Sequence, residues 1–225
     1  MTVVAPDAER SAIGHAITTL TPLRVKEFSQ GRQPVGYAIN GTPADCVKIG
    51  VGSILKSRPP DLVVSGINLG PNTATNIIYS GTVSAATEAR ILGIPSMAIS
   101  LATFVDPDWT YAATLGRRIG ALILARGLPR KVLLNVNVPN LPRARIKGIK
   151  ITKQGDSAYV EEYEMRQDPR RQPYYWLAGS YQMHDEDPST DAWAVANGYV
   201  SITPVTFDLT AHDLLAEVAD WGWKV

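Results

Sequence analysis

Short apolar runs alternate with segments of helical periodicity along the chain. Four of these runs are continuously apolar, as β-strands covered on both faces are, and they occupy 2–6, 61–65, 95–100 and 131–139. Helical periodicity is found from Pro43, after Gly81 and at 111–126. Because strands and helices alternate, we predict an α/β fold with a Rossmann-like, mostly parallel sheet flanked by helices.

Two of the predicted helices carry sequence signals at their starts. Residues 42–45, Thr-Pro-Ala-Asp, supply a hydroxyl N-cap, a proline at the first helical position and an acid in the first turn. Thr210 is predicted to cap a last helix, in which Leu209 and Leu214 are spaced as a hydrophobic staple. We expect this C-terminal helix to contribute to contacts between subunits.

The stretch 154–191 departs from this pattern, since it is polar, rich in tyrosine and interrupted by prolines. We interpret it as a projecting arm or β-hairpin on a single α/β domain that comprises 1–153 and 192–225. Its aromatic run, 174–176, would then supply anchors for another subunit. An arm folded back over its own domain is the alternative.

Composition narrows the possible partners. The 225 residues include 22 Lys and Arg against 21 Asp and Glu, a formal net charge of +1, so we expect no surface for duplex nucleic acid or an anionic membrane. The single Cys46 excludes an internal disulfide and suits a reducing compartment. No apolar run approaches the roughly 20 residues that cross a bilayer, and the N-terminus lacks a charged-then-apolar leader. We therefore expect a cytoplasmic protein with a small-molecule ligand.

Common cofactor and zinc signatures are missing from the sequence. The segment GVGSIL at 50–55 lacks the third glycine of a dinucleotide fingerprint, and no glycine-rich loop ends in Gly-Lys-Ser/Thr. His15, His184 and His212 do not have metal-ligand spacing. A nicotinamide-dependent oxidoreductase is therefore a weak alternative.

Polar residues follow the strand predicted at 61–65. In an open parallel sheet, ligands bind in the crevice at the carboxyl ends of the strands. In SGINLGPN at 65–72, glycines permit close backbone approach, while Asn68 and Asn72 supply neutral oxygens that suit a hard cation such as Mg²⁺ or Mn²⁺. The alternative is that both asparagines satisfy the backbone of a turn.

A phosphate site is predicted where the second helix begins. Ser80, Gly81 and Thr82 open a helix rich in small residues. Its first N–H groups and positive dipole end attract an anion, and the two hydroxyls can assist. Thr82 could instead be only an N-cap. Ser11 lies in a polar loop after the first strand, and by itself it predicts nothing.

Taken in order, these segments resemble the SurE family, the stationary-phase survival phosphatases. The matching segments are VVAPDAERSAIG at 3–14, NGTPADCV at 40–47, RPPDLVVSGINLGPN at 58–72, IYSGTVSAATEAR at 78–90, QDPR at 167–170, YYW at 174–176, TDAWAV at 190–195 and GYVSITPVTFDLTA at 198–211. The combination of SGIN-x-G-P-N with a nearby YSGTV is specific. The resemblance covers nearly the whole chain.

The resemblance implies a phosphohydrolase that removes phosphate from nucleoside 5′-monophosphates, with 3′-monophosphates left open, using one divalent metal ion per subunit, Mg²⁺ or Mn²⁺. Carried over position by position, it implies two metal ligands, Ser11 and Asn68. It also implies a catalytic, phosphate-binding set: Asn72, Ser80, Gly81 and Thr82. A homodimer or homotetramer, assembled through the arm and the C-terminal segment, is implied as well.

One further element is implied by the resemblance. Family members open with a β-strand that ends in Asn-Asp-Asp-Gly, whose aspartates are the anionic metal ligands. This sequence resembles the family from the second strand onward and contains no Asp-Asp pair. Such a strand–helix step has on the order of 30 residues, and doubly wound sheets commonly place strand 1 in the middle. The alternatives are an enzyme whose recorded start is too late and a truncated, catalytically inactive homologue that binds nucleotide or phosphate.

Overall fold

The protein forms ten β-strands and six α-helices within residues 1–31, 33–182 and 185–223, the part of the chain that this computed structural model describes. The strands are β1 (Val3–Pro6), β2 (Val25–Gln30), β3 (Gln33–Ile39), β4 (Val63–Leu69), β5 (Ser96–Ala102), β6 (Val132–Pro139), β7 (Ile149–Ile151), β8 (Ala158–Gln167), β9 (Pro173–Gln182) and β10 (Val200–Thr206). The helices are α1 (Pro43–Ile49), α2 (Asn76–Tyr79), α3 (Gly81–Ile91), α4 (Trp109–Arg126), α5 (Asp191–Ala196) and α6 (Leu215–Ala219). Helical turns of other types occupy Gly50–Ile54, Arg143–Arg145 and His212–Leu214.

A five-stranded sheet in the order β4-β5-β6-β10-β7 forms the centre of the fold. β4, β5 and β6 are parallel, whereas β10 runs antiparallel to β6 and parallel to β7. Helices cover both faces: Ile99 of β5 packs with Leu115 and Ile119 of α4, while its neighbour Ala98 packs with Val83 of α3 on the other face. The predicted α/β fold with a mostly parallel sheet flanked by helices is confirmed.

A separate sheet in the order β1-β3-β2 holds the N-terminal part of the chain. β1 pairs with β3 in parallel, and α1 packs between β1 and α3. Among the described residues, β1 has no strand partner on the side opposite β3, and β4 has none on the side opposite β5. Val64 of β4 is 48% exposed and Val3 of β1 40% exposed. The prediction that the apolar runs at 2–6 and 61–65 are covered on both faces is therefore wrong at these two side chains.

β8 and β9 form a two-stranded antiparallel hairpin of ten residues a side. At its turn, Asp168 Oδ1 accepts hydrogen bonds of 2.8 Å from the backbone N–H groups of Arg170 and Gln172. Tyr175 and Trp176 of β9 are exposed. His184, one of the three histidines without metal-ligand spacing, lies outside the described residues.

The two helix starts predicted from sequence have different outcomes. At α1, Thr42 Oγ1 accepts from the N–H of Asp45 over 3.0 Å, and Asp45 Oδ2 accepts from the N–H of Thr42 over 2.9 Å, which confirms the cap. The Thr210 cap is wrong, because Thr210 donates its N–H to Asp208 Oδ1 and the helical residues begin only at His212. The staple is also wrong, because Leu209 is 94% exposed and Leu214 is 47% exposed.

α4 is 18 residues long. No helix in the described part of the chain has both the length and the apolar character that crossing a bilayer requires.

Candidate functional site

Asn68 and Thr82 meet where the end of β4 approaches the beginning of α3. Thr82 Oγ1 donates a hydrogen bond of 3.2 Å to Asn68 Oδ1. The amide nitrogen of Asn68 donates to the carbonyl oxygens of Leu69, at 3.1 Å, and Gly70, at 2.9 Å. Since these two acceptors fix which end of the amide is oxygen, the oxygen is aimed at α3. The strand predicted at 61–65 placed Asn68 in the loop that follows. In the structure Asn68 belongs to β4 itself.

The N-terminus of α3 is formed by the predicted phosphate-binding residues. Ser80 is the N-cap, and its Oγ accepts from the N–H of Val83 over 3.1 Å. The alternative that Thr82 is the N-cap is therefore wrong. N–H groups in the first turn of a helix have no carbonyl acceptor within that helix, and the dipole adds partial positive charge. The arrangement can receive an anionic oxygen.

Gly81 lies at a close approach between α3, α1 and the loop after β1. A Cβ atom on Gly81 would lie 2.9 Å from Pro43 Cγ, 3.5 Å from Ile13 Cγ2 and 3.6 Å from the carbonyl oxygen of Arg10. The loop that carries Ser11 is thereby brought against the start of α3. A glycine at this position permits the close packing of these three segments.

Ser11 lies in this loop, and its hydrogen-bond partner differs from those of Asn68. Its Oγ donates to Glu9 Oε1 over 2.9 Å, and the side chain is exposed. Among the described residues, no hydrogen bond joins Ser11 to any other member of the predicted set. The two predicted metal ligands are thus on neighbouring segments with separate partners.

Asn72 is buried and holds the loop after β4 onto the next two strands. Its Nδ2 donates to Ser100 Oγ over 2.7 Å, and its backbone N–H donates to Asn137 Oδ1 over 2.7 Å. Asn135 Nδ2 donates to the carbonyl oxygen of Asn72 over 2.8 Å. Sequence reasoning missed Asn135 and Asn137, although two asparagines in alternate positions of an apolar strand were a usable signal.

Glu88 is a buried carboxylate on α3 that ties the surrounding segments together. Its Oε2 lies 2.8 Å from His15 Nε2, and its Oε1 lies 2.8 Å from Lys48 Nζ. His15 belongs to the same loop as Ser11, and Lys48 belongs to α1. Sequence reasoning missed this cluster, because its members are 40 and 73 residues from Glu88 along the chain.

A second buried carboxylate, Asp191, joins the loop after β4 to α5. Its oxygens accept from the N–H groups of Ala74 at 3.0 Å, Gly155 at 3.0 Å and Ala192 at 2.8 Å. Burial raises the pKa of Asp191 above its ordinary value, although these hydrogen bonds oppose the shift. The loop from Asn72 to Ala74 is consequently fixed at both ends.

The donor set fits part of a hard-metal site. Asn68 Oδ1 and Ser11 Oγ are neutral oxygens of the kind that Mg²⁺ and Mn²⁺ accept. In the described ranges, however, no three or more His, Cys, Asp or Glu side chains are grouped so that they could hold a metal ion. Burial raises the pKa of Cys46 to about 12, so its thiol is neutral. Ser11 and Asn68 therefore offer neutral oxygens only.

A cavity of about 320 Å³ opens at the carboxyl ends of β5 and β6. Pro71 and Thr73, on either side of Asn72, line it together with Ala102 and Pro139. It adjoins the candidate site through that loop, in the place where parallel sheets bind their ligands.

Comparisons with known proteins agree in sequence and in fold. A family profile described as "Survival protein SurE" matches residues 1–161. A protein named 5'-nucleotidase SurE from Syntrophobacter fumaroxidans is 51% identical over 222 residues, which cover 99% of this chain and 88% of that protein. Its namesake from Chlorobaculum tepidum is 45% identical over 222 residues, 99% of this chain and 84% of that protein.

The crystal structure of the SurE protein from Aquifex aeolicus has the same fold. The similarity covers 96% of this chain and 86% of that chain, at 44% sequence identity and a TM-score of 0.83. With a profile match over more than half of its length and relatives near half identity, the chain belongs to the survival protein SurE family.

Proposed function

We propose that this protein is a cytoplasmic phosphohydrolase that removes phosphate from nucleoside 5′-monophosphates with a divalent metal ion, Mg²⁺ or Mn²⁺. The observation that carries the proposal is the contact between Thr82 Oγ1 and Asn68 Oδ1. It joins a candidate metal ligand to a helix N-terminus suited to phosphate. The name 5'-nucleotidase, borne by relatives at 45–51% identity, supports the substrate class.

Phosphate binding is assigned to the first turn of α3. The N–H groups that follow Ser80 can donate hydrogen bonds to a phosphate oxygen, and the positive end of the helix dipole adds to the attraction. Thr82 supplies a hydroxyl beside Asn68. Within this set, Asn72 is assigned to positioning the loop after β4. Its Nδ2 donates a hydrogen bond to Ser100 Oγ, and its backbone N–H donates one to Asn137 Oδ1. Phosphate would therefore be bound mainly by backbone groups of a fixed helix.

Metal binding is assigned to Asn68 and Ser11. A divalent ion held by these two residues would withdraw charge from a phosphate oxygen and make a bound water more acidic. Asn68 is held in the required orientation by the carbonyl oxygens of Leu69 and Gly70. Ser11 has to turn from Glu9 to reach the same ion, which its exposed position allows.

The anionic ligands are assigned to a strand that carries Asn-Asp-Asp-Gly and inserts beside β1 and β4. Two neutral oxygens bind a hard cation weakly, since the affinity of such sites depends on carboxylate charge. Both strands lack a partner on one side among the described residues. A parallel strand added beside either of them would pair with the free backbone N–H and C=O groups of that edge.

Assembly into a homodimer or homotetramer through the β8–β9 hairpin and the C-terminal segment is part of the proposal. Tyr175, Trp176, Trp221 and Trp223 are each between 59% and 68% exposed. Clusters of exposed aromatic side chains are more often interaction surfaces than permanently solvent-exposed surfaces.

The substrate assignment is tested by phosphate release from AMP, 3′-AMP and ribose 5-phosphate, with Mn²⁺ and with EDTA. The protein for this assay is the 225-residue chain joined to the N-terminal strand of a relative. Release from AMP that requires Mn²⁺ is expected. Release that is equal in EDTA, or confined to substrates without a nucleoside, would contradict the proposal.

A further inference from the structure

Phe104 is an exposed aromatic residue just beyond the carboxyl end of β5. Its side chain is 76% exposed, and that of its neighbour Val105 is 72% exposed. β5 pairs with β4, the strand that carries Asn68. Two adjacent apolar side chains are thus presented to solvent at the edge of the sheet where ligands bind.

The ring of Phe104 lies against the backbone of Gly70. A Cβ atom at Gly70, where φ is +102°, would lie 2.8 Å from Phe104 Cζ, so the contact requires a glycine. The carbonyl oxygen of Gly70 accepts from Asn68 Nδ2 over 2.9 Å. Gly70 therefore contacts both the Phe104 ring and the side chain of Asn68, the candidate metal ligand.

The loop that presents Phe104 is fixed by hydrogen bonds. Thr103 Oγ1 donates to the carbonyl oxygen of Val105 over 2.6 Å and accepts from its N–H over 3.1 Å. Asn140 donates to the carbonyl oxygen of Asp106 over 3.1 Å and accepts from the N–H of Asp108 over 3.0 Å. A ring on such a loop can stack on a ligand with little loss of backbone entropy.

We propose that Phe104 is the surface on which the nucleobase of the substrate stacks while its phosphate is held at the start of α3. The inference rests on the proposed function and adds a residue that recognises the base. Because every base has a π-face, stacking tolerates base identity. Purine and pyrimidine nucleotides should therefore share the interaction.

Tyr79 is the competing aromatic residue. It is 57% exposed and directly precedes Ser80. Its carbonyl oxygen accepts from the N–H of Gly14, which places it on the side of the loop after β1. Phe104 is favoured because it lies on the β5 side, at the edge where the carboxyl ends of β4 and β5 meet.

The test is the affinity of the 225-residue chain for AMP and for ribose 5-phosphate in the presence of Mn²⁺, measured by calorimetry. Phe104→Ala should weaken AMP binding by roughly 5- to 150-fold, the effect of one base–aromatic stack, and should leave ribose 5-phosphate binding unchanged. Phe104→Trp should retain AMP binding. Phe28→Ala is the control, since Phe28 is also exposed but lies on β2 of the other sheet.

Three results would overturn the inference. They are absence of AMP binding in the unsubstituted chain, equal loss for both ligands in Phe104→Ala, and loss of AMP binding in Tyr79→Ala but not in Phe104→Ala. Failure of the proposed function has a different signature: AMP binding that depends on Phe104 in a protein that, with the added strand, releases no phosphate.

Discussion

Thr82 donates its hydroxyl hydrogen to Asn68 Oδ1 over 3.2 Å, which joins the N-terminus of α3 to the end of β4. If this bond positions Asn68, Thr82→Val in the chain joined to the N-terminal strand of a relative should lower metal-dependent phosphate release by roughly 2- to 12-fold, since one hydrogen bond contributes about 0.5–1.5 kcal/mol. Thr82→Ser keeps the hydroxyl and should retain most of the activity. Equal rates for the two variants would show that the hydroxyl is not needed.

Gly81 allows α1 and the loop after β1 to close on α3, so a side chain at this position should destabilise the fold. Gly81→Ala places a Cβ atom 2.9 Å from Pro43 Cγ, and we expect the free energy of unfolding to fall by about 1–3 kcal/mol. Gly52→Ala is the control, since nothing lies within 4 Å of its added Cβ atom. Urea unfolding of both variants measures the difference, and equal midpoints would contradict this packing role.

Elements with strong local signals were predictable from the sequence. The apolar runs at 95–100 and 131–139 overlap β5 and β6, which lie in the middle of the five-stranded sheet, and the cap at Thr42 forms as predicted. Parallel strands in the middle of a sheet need apolar side chains on both faces, and a capping hydroxyl acts on a residue three positions away. Both signals are local and can be recognised without the rest of the fold.

Elements that depend on distant partners were not predictable. β2 (VKEFSQ) is exposed along its whole length and so lacks the apolar face that marks a strand. The buried carboxylate of Asp191 accepts hydrogen bonds from the backbone N–H groups of Ala74 and Gly155, which belong to two distant segments. Thr210 had the residue type of an N-cap, but Asp208 accepts its N–H and the helix starts later.

Asp45 should make the free energy of unfolding decrease as the pH falls into the acid range. Burial raises its pKa, but hydrogen bonds from Thr18 and Thr42 outweigh burial, and the pKa of Asp45 lies below its usual value. A lowered folded-state pKa contributes stability above the unfolded pKa of about 4, and that stability is lost as pH falls through the folded value. Asp45→Asn should therefore lower the free energy of unfolding more at pH 7 than at pH 3.

Urea unfolding at the two pH values checks this expectation. Asp213→Asn, at an exposed carboxylate in the turn before α6, is the control and should change stability little at either pH. The same loss at pH 7 and pH 3 for Asp45→Asn would show that the effect is steric and not due to the ionised carboxylate.

The β8–β9 hairpin should carry subunit contacts. Deletion of residues 160–185 is expected to lower the molar mass measured by light scattering. The double substitution of Tyr175 and Trp176 by serine should do the same without removing the hairpin, because it removes the exposed aromatic surface. Leu124→Ser, at an equally exposed apolar residue on α4, should leave the mass unchanged. A monomer before and after each change would contradict the assembly proposal.

Phosphate release from AMP, with Mn²⁺ and with EDTA, tests the metal site most directly when three proteins are compared. They are the 225-residue chain, the chain preceded by a family strand ending in Asn-Asp-Asp-Gly, and the extended protein with Asn68→Ala. Because Ser11 and Asn68 supply only neutral oxygens, low release is expected from the first protein and from the third, and Mn²⁺-dependent release from the second. Asn197→Ala, at the end of α5, should not reduce release by the extended protein. Equal release by the 225-residue chain and the extended protein, or release unaffected by Asn68→Ala, would contradict the account.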